Sequence, residues 1–423
     1  MTEWIASEAL ALDRYVRSGD RIVWGQACGE PTTLVETLIA QAAGLGGVSA
    51  FAGSSFSGLL TPEMGEHVSL SSMGAIGALR SVAKAGRLGI IPCHVGQISN
   101  MIEAGLIGCD VAFVQVSPSD TDGNHSYGLI NDYVQAAVAK ARVVIAEVNE
   151  QVPFTHCDAL LPASRIDLAI KVSHPPVEVK PAAIGDIDRA IAKHAAEYIG
   201  DGSVLQIGIG AVPDAVLQLV SDRRDLGIHS GMIGDGLLDL VEAGVITNAR
   251  KMFDAGISIT GALIGSRRLY DFAHRNPAVG MRASGYTHAD AVLTAIPRFV
   301  TINSALEVDL TGQVNAEQVG SSYVGGTGGQ VDYVRGGSRS PGGRSIIALP
   351  ATAGNKGSRI VPTLGGPVTT GRSEVDIIIT EFGAAELKGQ TLVERARRLM
   401  AIAHPDYREG LAQAAHAIAK RGY

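Results

Sequence analysis

The segment LGIHSGMIGDG, residues 226–236, joins an apolar run to a short polar loop, as expected where a buried strand ends and a helix begins. Loops that follow the strands of α/β proteins carry much of their chemistry. This loop offers the imidazole of His229, the hydroxyl of Ser230 and the carboxylate of Asp235, with Gly231 at its tip. Because no GxSxG turn surrounds Ser230, a serine hydrolase is disfavoured. The loop therefore offers general bases but no obvious nucleophile.

A second polar segment, SPSDTDGNHSYG, contains Asp120, Asp122 and His125. These residues could form an acid/base or metal site, but the same pattern suits an Asx-turn loop, which is the favoured interpretation. The four cysteines are widely spaced and form no CxxC pair, so the sequence predicts neither a metal site nor a disulfide framework.

Three glycine-rich segments are predicted as loops that could approach a ligand with their backbone: QIGIGAVPDAV (206–216), YVGGTGGQVDYVRGG (323–337) and SRSPGGRS (338–345). The first lacks the third glycine and the later acidic residue of a dinucleotide fingerprint, and the chain has no GxxxxGK[ST] motif. Neither a Rossmann site nor a P-loop is therefore predicted.

The glycine segments instead predict a cradle of backbone N–H groups for a phosphate or a developing oxyanion. Arginines close to the second and third segments could meet phosphates, and the alternative is a turn with solvated side chains. The residues concerned are Gly208, Gly210, Gly325, Gly326, Gly328, Gly329, Arg335, Arg339 and Arg344.

The elements that must position these loops alternate between apolar runs and helical patterns. DVAFVQVSP and RVVIAEVN are continuous apolar runs, typical of strands buried on both faces. Such alternation predicts an α/β fold with mainly parallel sheets. The Pro-rich segment 171–185 interrupts it and is interpreted as a linker. We therefore expect two similar α/β domains, residues 1–180 and 186–423.

Composition narrows the class of protein further. The net charge is −7 (35 basic against 42 acidic residues) and no basic block is present, so nucleic acid is not an expected partner. No run of about 18 apolar residues predicts a membrane span. The first residues lack the cationic and apolar regions of a secretory signal, so a cytoplasmic protein is expected.

With these motifs in view, the chain resembles the acetyl-CoA hydrolase/transferase family, a class I coenzyme A transferase group. The resemblance runs through nearly the whole sequence. It is carried by GQACGEPTTLVE, TPEMGEH, FVQVSPSDTDGNHSYG, VIAEVNEQVP, LQIGIGAVPDAV, GDGLLDLVEAGVITN, GSRRLYDF, INSALEVDLTGQVNAE, GGTGGQVDYVRGG, SIIALPAT and AIAHPDYRE.

The resemblance implies a two-step transfer of CoA between small carboxylic acids, of the acetate, butyrate, 4-hydroxybutyrate, succinate or itaconate type. In the family a glutamate carboxylate attacks the acyl-CoA thioester and forms an acyl-glutamyl anhydride. The released CoA thiolate then converts this anhydride to a glutamyl-CoA thioester. It also implies a homodimer and CoA as a dissociating substrate, with no permanently bound cofactor. The predicted CoA-binding residues are Gly208, Gly210, Gly325, Gly326, Gly328, Gly329, Arg335, Asn355 and Lys356.

One position departs from the family pattern. In the 4-hydroxybutyrate type this loop reads His-Ser/Thr-Glu-Met, and its Glu is the nucleophile, whereas Gly231 stands there in this chain. A transferase would then need another carboxylate, for which Glu63 and Glu30 are the candidates; both also suit structural roles at turns. The alternatives are a thioester hydrolase that activates water through His229, Asp235 or Glu63, and a CoA-binding protein without catalysis.

Overall fold

The computed structural model describes residues 2–354 and 357–422, and its framework is two large β-sheets. The first sheet has eight strands in the order β1-β11-β8-β6-β2-β3-β4-β5, and every neighbouring pair is parallel. The strands of this half are β1 (Glu3–Ile5), β2 (Arg21–Trp24), β3 (Ser49–Phe51), β4 (Ser69–Ser72), β5 (Leu88–Ile90), β6 (Val111–Val116), β7 (Asn124–His125), β8 (Val143–Asn149), β9 (His156–Cys157), β10 (Leu161–Pro162) and β11 (Leu168–Val172).

Helices connect the parallel strands of this half: α1 (Thr32–Gln41), α2 (Leu79–Lys84), α3 (Val95–Glu103) and α4 (Val134–Lys140). Two neighbouring interior strands, β6 and β8, are buried along their whole length. This is why their sequences are continuous apolar runs rather than alternating ones, and both predicted strands are confirmed.

The second large sheet has six strands in the order β13-β12-β16-β21-β23-β24, parallel except for the edge pair β23–β24. The strands of this half are β12 (Val204–Ile207), β13 (Gly227–Ile228), β14 (Ser258–Thr260), β15 (Val279–Met281), β16 (Phe299–Ser304), β17 (Glu307–Asp309), β18 (Val314–Asn315), β19 (Gln318–Val319), β20 (Ser322–Tyr323), β21 (Arg344–Ala348), β22 (Ile360–Val361), β23 (Ile377–Thr380) and β24 (Gly383–Glu386). The prediction of an α/β fold with mainly parallel sheets is confirmed.

Nine helices are described in the second half, and two of them, α9 and α11, prove central to the site. They are α5 (Asp186–Ala196), α6 (Ala211–Leu219), α7 (Gly236–Glu242), α8 (Arg267–Ala273), α9 (Ser284–Thr287), α10 (Asp290–Leu293), α11 (Gln330–Arg339), α12 (Leu392–Ile402) and α13 (Arg408–Arg421). No helix in the described ranges is both long and apolar enough to cross a membrane.

The glycine segment 323–337 is a loop only in its first part, and the prediction of a loop throughout is wrong. Helix α11 begins at Gln330 and includes Gly336 and Gly337. Glycine is needed at both positions because a Cβ would lie 2.6 Å from the Cβ of Leu293 or 2.8 Å from the carbonyl oxygen of Arg344. Close packing of the helix against α10 and β21 therefore overrides the low helix propensity of glycine.

The two halves of the chain meet through main-chain contacts. The amide of Ala75 donates to the carbonyl of Gly325 at 2.7 Å, and Gly74 pairs with Gly326 in an antiparallel bridge. One hydrophobic cluster also continues from Val114 of β6 to Leu205 of β12. The linker was predicted over residues 171–185, but Lys171 and Val172 belong to β11. Residues 173–185 contain no helix or strand. The domain limits at 180 and 186 remain a prediction.

Candidate active site

A cavity of about 260 Å³ lies where loops of both halves converge. Its walls are mainly apolar, with a few polar groups that could orient a ligand, which is the usual character of a small-molecule site. The lining residues are Gln26, Ala27, Ser54, Phe56, Met73, Ile76, Val95, Ile130 and Asp132 from the first half, and Gln206, Gly208, Ile209, Ser230, Gly231, Met232, Ala262, Ile264, His288, Asn303, Gly328, Gly329, Gln330 and Tyr333 from the second.

The loop after β13 is held in the cavity wall by the segment 258–264. The amide of Ser230 donates to the carbonyl of Ile259 at 3.0 Å, and the amide of Gly261 donates to the carbonyl of Gly231 at 3.2 Å. The Ser230 hydroxyl is held by the backbone, since it donates to the carbonyl of Ile207 at 3.2 Å. The tip of the loop is thus fixed by its backbone, and Gly231 faces the cavity without a side chain.

The space beside Gly231 is filled by His288. A Cβ built on Gly231 would lie 2.7 Å from Cε1 and 2.8 Å from Nε2 of His288, and 2.9 Å from the hydroxyl of Tyr333. Gly329 touches the same ring from another direction, because its Cβ would lie 2.6 Å from Nε2 of His288. The imidazole therefore fits only because residues 231 and 329 are both glycine.

Short helix α9 positions His288 at this point. The amide of Ser284, its first residue, donates to the carbonyl of Asp132 at 2.9 Å, and the amide of His288 donates to the carbonyl of Ser284 at 3.0 Å. The Ser284 hydroxyl lies 2.9 Å from the hydroxyl of Ser99 in α3. The first half of the chain thus anchors the helix that presents His288 to the cavity.

Burial keeps the His288 imidazole neutral. It lowers the pKa of His288 from 6.5 to about 3, because the low-polarity surroundings disfavour the charged ring. The ring packs on Tyr333 with the centroids 4.7 Å apart. At neutral pH the side chain is therefore an uncharged base.

Asp132 supplies the carboxylate of the cavity, and it is the one acid among the described residues that line it. Gln26 donates its side-chain amide to this carboxylate, and Ser54 donates to the Gln26 amide oxygen at 3.1 Å. Burial raises the pKa of Asp132 from 3.8 to about 6. A carboxyl with a pKa moved toward neutrality, inside an apolar cavity, is a feature of functional sites.

Backbone pairing brings Asp132 close to the Gly231 loop. The segment 259–263 lies between them: it bridges Ile130 through Ala262 on one side, and Ile233 through Leu263 on the other. This segment therefore links the Asp132 loop to the Gly231 loop through backbone bridges, and both loops line the cavity.

The predicted glycine residues have different positions. Gly208, Gly328 and Gly329 line the cavity. Gly210 has φ +121° and precedes α6, a conformation that favours glycine. Gly325 donates its amide to the carbonyl of Glu317 at 3.0 Å. Gly210 and Gly325 are not among the residues of the cavity wall.

Gly326 belongs to the contact between the halves, because its Cβ would lie 3.1 Å from the Cα of Gly74. Gly329 ends the loop and Gln330 begins α11, so the N-terminus of a ten-residue helix opens on the cavity. Its partial positive charge favours an anion, such as a thiolate or an oxyanion. A cradle of backbone N–H groups formed by Gly328 and Gly329 at the cavity remains a prediction.

The arginines lie outside this cavity. Arg335 and Arg339 line a neighbouring cavity of about 170 Å³ together with Asp290, Asp332 and His288. Arg344 pairs with Glu386 at 2.9 Å instead of facing either cavity. A phosphate-binding role for Arg335 remains a prediction, and Asn355 and Lys356 lie outside the described residues.

The structure does not bring the two predicted nucleophiles into the cavity. Glu63 is exposed in a 3₁₀ turn, Glu63–Glu66. Glu30 is fully buried, where it accepts hydrogen bonds from the Ser55 hydroxyl at 3.0 and 3.2 Å. Burial raises the pKa of Glu30 to about 6, yet its side chain does not line the cavity. Neither placement supports attack on a bound thioester.

The predicted general bases His229 and Asp235 do not line the cavity either. His229 is buried and packs against Phe299 and Tyr286, with ring centroids 6.2 and 5.7 Å apart, outside the cavity wall. Asp235 accepts the Ser266 amide at 2.8 Å and the Ser266 hydroxyl at 2.7 Å, which fixes the turn before α8. In the other polar segment, Asp120 accepts the amides of residues 122 and 124, as the Asx-turn interpretation predicts.

Sequence reasoning missed Gln26, Asp132 and His288. Gln26 lies two residues after strand β2, so its position at the end of a parallel strand was an available signal. Asp132 lies two residues before α4, where a helical pattern begins. His288 lies in RASGYTHADAV, which matches no catalytic motif, so nothing in the sequence marked it.

Two mainly parallel α/β layers that share one cavity at their strand ends define a coenzyme A transferase fold. Solved structures of this fold cover nearly the whole chain. The 4-hydroxybutyrate CoA-transferase of Porphyromonas gingivalis has a TM-score of 0.84 at 35% identity, covering 99% of this chain and 98% of its own. RipA from Yersinia pestis has a TM-score of 0.92 at 33% identity, covering 98% and 97%.

The chain belongs to the acetyl-CoA hydrolase/transferase family. The model of the N-terminal domain of this family matches residues 4–181, and that of the C-terminal domain matches residues 265–415. A 4-hydroxybutyrate coenzyme A transferase of Clostridium kluyveri is 41% identical over 401 residues, which is 94% of both proteins. The family resemblance seen in the sequence is therefore confirmed.

Proposed function

We propose that this protein is a CoA-transferase that moves coenzyme A from an acyl-CoA to a small carboxylic acid. The observation that carries the proposal is the cavity between the halves, where the Gly231 loop, the Gln26–Asp132 pair and the N-terminus of α11 converge. Full-length similarity to proteins named as CoA-transferases supports the same reaction.

The cavity walls favour an aliphatic monocarboxylate. Lysine and arginine are absent from the lining formed by residues 2–354 and 357–422. A second carboxylate, as in succinate or itaconate, would be buried without a cationic partner, at a cost of several kcal/mol. Among the expected acids, acetate, butyrate and 4-hydroxybutyrate therefore fit better than the dicarboxylates.

The apolar walls also serve the chemistry. Phe56, Met73 and Ile264 are among the side chains that exclude water around the thioester. In such surroundings the N-terminus of α11 stabilises a developing negative charge more than it would in water. Exclusion of water favours transfer to a carboxylate over hydrolysis.

Thioester hydrolysis is the second candidate, and a specific observation favours it. The loop position that holds a glutamate in the 4-hydroxybutyrate type is Gly231, and a neutral imidazole stands beside it. A neutral imidazole can take a proton from water as the water attacks a thioester. Hydrolysis would need no carboxylate acceptor.

A direct comparison separates the two reactions. The protein is incubated with butyryl-CoA, with and without acetate, and acetyl-CoA and free CoA thiol are quantified by chromatography. We expect acetyl-CoA to form at the rate of butyryl-CoA loss, with little free CoA. Equal release of free CoA with and without acetate would instead establish hydrolysis and exclude the transferase proposal for this acid pair.

A homodimeric assembly and a cytoplasmic location, both implied earlier, complete the proposal. The family resemblance supports the dimer. Size-exclusion chromatography with light scattering tests the assembly, since a dimer of this 43.9 kDa chain is readily separated from a monomer.

A further inference from the structure

The imidazole of His288 occupies the place where a side chain of residue 231 would enter the cavity. Its ring lies within contact distance of Gly231 on one side and of Gly329 on the other. Both glycines line the cavity, as does the ring itself. A reactive atom of the His288 side chain therefore meets a bound thioester at the tip of the Gly231 loop, where a side chain of residue 231 would meet it.

The hydrogen bonds around the ring leave Nε2 as the basic atom. The Thr287 hydroxyl lies 2.9 Å from Nδ1 of His288 and 3.4 Å from the carbonyl of Ala283. When the hydroxyl donates to that carbonyl, it accepts the proton carried by Nδ1. Nε2 then has a lone pair, and it lies beside both glycines, 2.8 Å from a Cβ built on Gly231 and 2.6 Å from one built on Gly329.

Tyr333 does not compete for that lone pair. Its hydroxyl also lies beside the tip of the loop, 2.9 Å from a Cβ built on Gly231, but it donates to the carbonyl of Thr287 at 3.0 Å. A hydroxyl has one proton, so none remains for Nε2. No hydrogen-bond donor to Nε2 is found in the ranges 2–354 and 357–422.

Asp132, the cavity carboxylate, is less available than His288. One of its oxygens accepts the amide of Tyr133 and the other accepts the side chain of Gln26. Both donors lower the nucleophilicity of a carboxylate, because they stabilise its charge. This arrangement suits a residue that orients the substrate and not one that attacks it.

We propose that His288 is the covalent nucleophile of this protein and attacks the acyl-CoA thioester through Nε2. The inference rests on the proposed function, since it assigns the group that begins the transfer. An imidazole nucleophile replaces the carboxylate that the loop lacks at Gly231.

The electrons balance without any further reactant. Nε2 bonds to the thioester carbonyl carbon, the C–S bond breaks, and CoA leaves as a thiolate while the ring becomes an acylimidazolium. The cation and the thiolate anion form together, so the step adds no net charge to the buried site. A carboxylate acceptor attacks the acyl carbon, the C–N bond returns its electron pair to Nε2, and a mixed anhydride forms. The thiolate then attacks the acceptor carbonyl of the anhydride, which yields the new acyl-CoA and releases the donor acid as its carboxylate.

The decisive measurement is an acyl group on His288. Wild-type protein is mixed with butyryl-CoA in the absence of a carboxylate acceptor and quenched within seconds, and its peptides are mapped by mass spectrometry. We expect a burst of free CoA of about one equivalent per chain, and a butyryl adduct on the peptide that contains residue 288. An adduct on Asp132, or a burst without an adduct on His288, would overturn the proposal.

Two variants separate a nucleophile from a packing residue. His288→Asn keeps a polar atom for the Thr287 hydroxyl and removes Nε2, so we expect a folded protein with no burst and a fall in transfer rate of about a hundredfold or more. His288→Ala leaves an imidazole-sized space, and added imidazole should restore part of the rate. His67→Asn, which replaces an exposed histidine, is the matched control and should retain the burst.

Failure of this inference differs from failure of the proposed function. Wild-type protein that exchanges CoA between acids while His288→Asn keeps its burst and rate would remove His288 as nucleophile and leave the transferase intact. Wild-type protein that forms the adduct on His288 but passes the acyl group only to water would confirm the nucleophile and reject the transferase.

Discussion

The Cα of Gly231 lies against the imidazole of His288, so closely that a methyl group there would come within 2.7 Å of Cε1. Two residues far apart in the sequence thus share one volume in the cavity wall. The His288 ring can occupy this position only because residue 231 is glycine. Neither a carboxylate nor a methyl group fits at residue 231 while the ring is in place.

The first prediction concerns side chains at position 231. Gly231→Ala overpacks the ring of His288, so we expect a loss of about 1 to 3 kcal/mol in the free energy of unfolding and a large loss of transfer activity. Gly231→Glu should be worse and should not restore a family-type nucleophile. Urea denaturation and the butyryl-CoA assay measure both effects.

Gly208→Ala is the control for this prediction. Gly208 lines the same cavity, but a Cβ there meets nothing within 4 Å. Its stability should stay within about 0.5 kcal/mol of the wild type. A Gly231→Ala protein that is as stable as Gly208→Ala would contradict the packing described here.

The second prediction concerns the pH dependence of stability at Asp132. Burial raises the pKa of this carboxyl in the folded state from 3.8 to about 6. The protonated form is thus favoured by folding, and this contribution is complete below pH 3.8 and is lost as the pH rises through about 6. Above that pH the buried charge destabilises the wild type by on the order of 3 kcal/mol.

Asp132→Asn cannot ionise, so its stability relative to the wild type should increase between pH 4 and pH 7. Denaturation curves for both proteins at several pH values give the difference directly. Parallel stability profiles across this range would show that the carboxyl has no such shift.

The third prediction concerns the exposed glutamate of the first half. Glu63→Gln should change kcat/KM by less than about twofold, because the side chain is exposed and does not line the cavity. The comparison is Asp132→Asn, which alters the cavity wall and should lower kcat/KM. A severe loss in Glu63→Gln alone would mean that the turn at 63–66 closes over the substrate.

The fourth prediction concerns the choice of acceptor acid. Because no described lining residue carries a positive charge, burial of a second carboxylate costs at least about 2 kcal/mol. We therefore expect kcat/KM for butyrate to exceed that for succinate by about thirtyfold or more. Initial rates with each acid and one acyl-CoA donor test this, and equal values would reveal a cationic partner for the second carboxylate.

Much of the fold could be predicted from the sequence, because buried parallel strands have a strong local pattern. The runs that became β6 and β8 are apolar along their whole length, and their helices alternate with them regularly. Helix α11 escaped prediction because its two internal glycines lower helix propensity, and only tertiary packing explains them.

The site was harder to predict because its groups meet only through tertiary structure. Gly231 drew attention by its departure from a family motif, but nothing local showed that His288 fills the space beside it. The Gln26–Asp132 pair joins residues 106 positions apart. Glu63 and Glu30 are carboxylates on loops of the first half, but Glu63 is exposed outside the cavity and Glu30 is buried away from it.

The contact of Gly74 with Gly326 has a mechanical consequence. Two main chains touch there with no side chain between them, and the Ala75 amide is bonded to the Gly325 carbonyl. A backbone has no rotamers, so this part of the boundary cannot yield by the swing of a single side chain. Any widening at this point must displace whole segments of both halves together. The boundary is therefore rigid here.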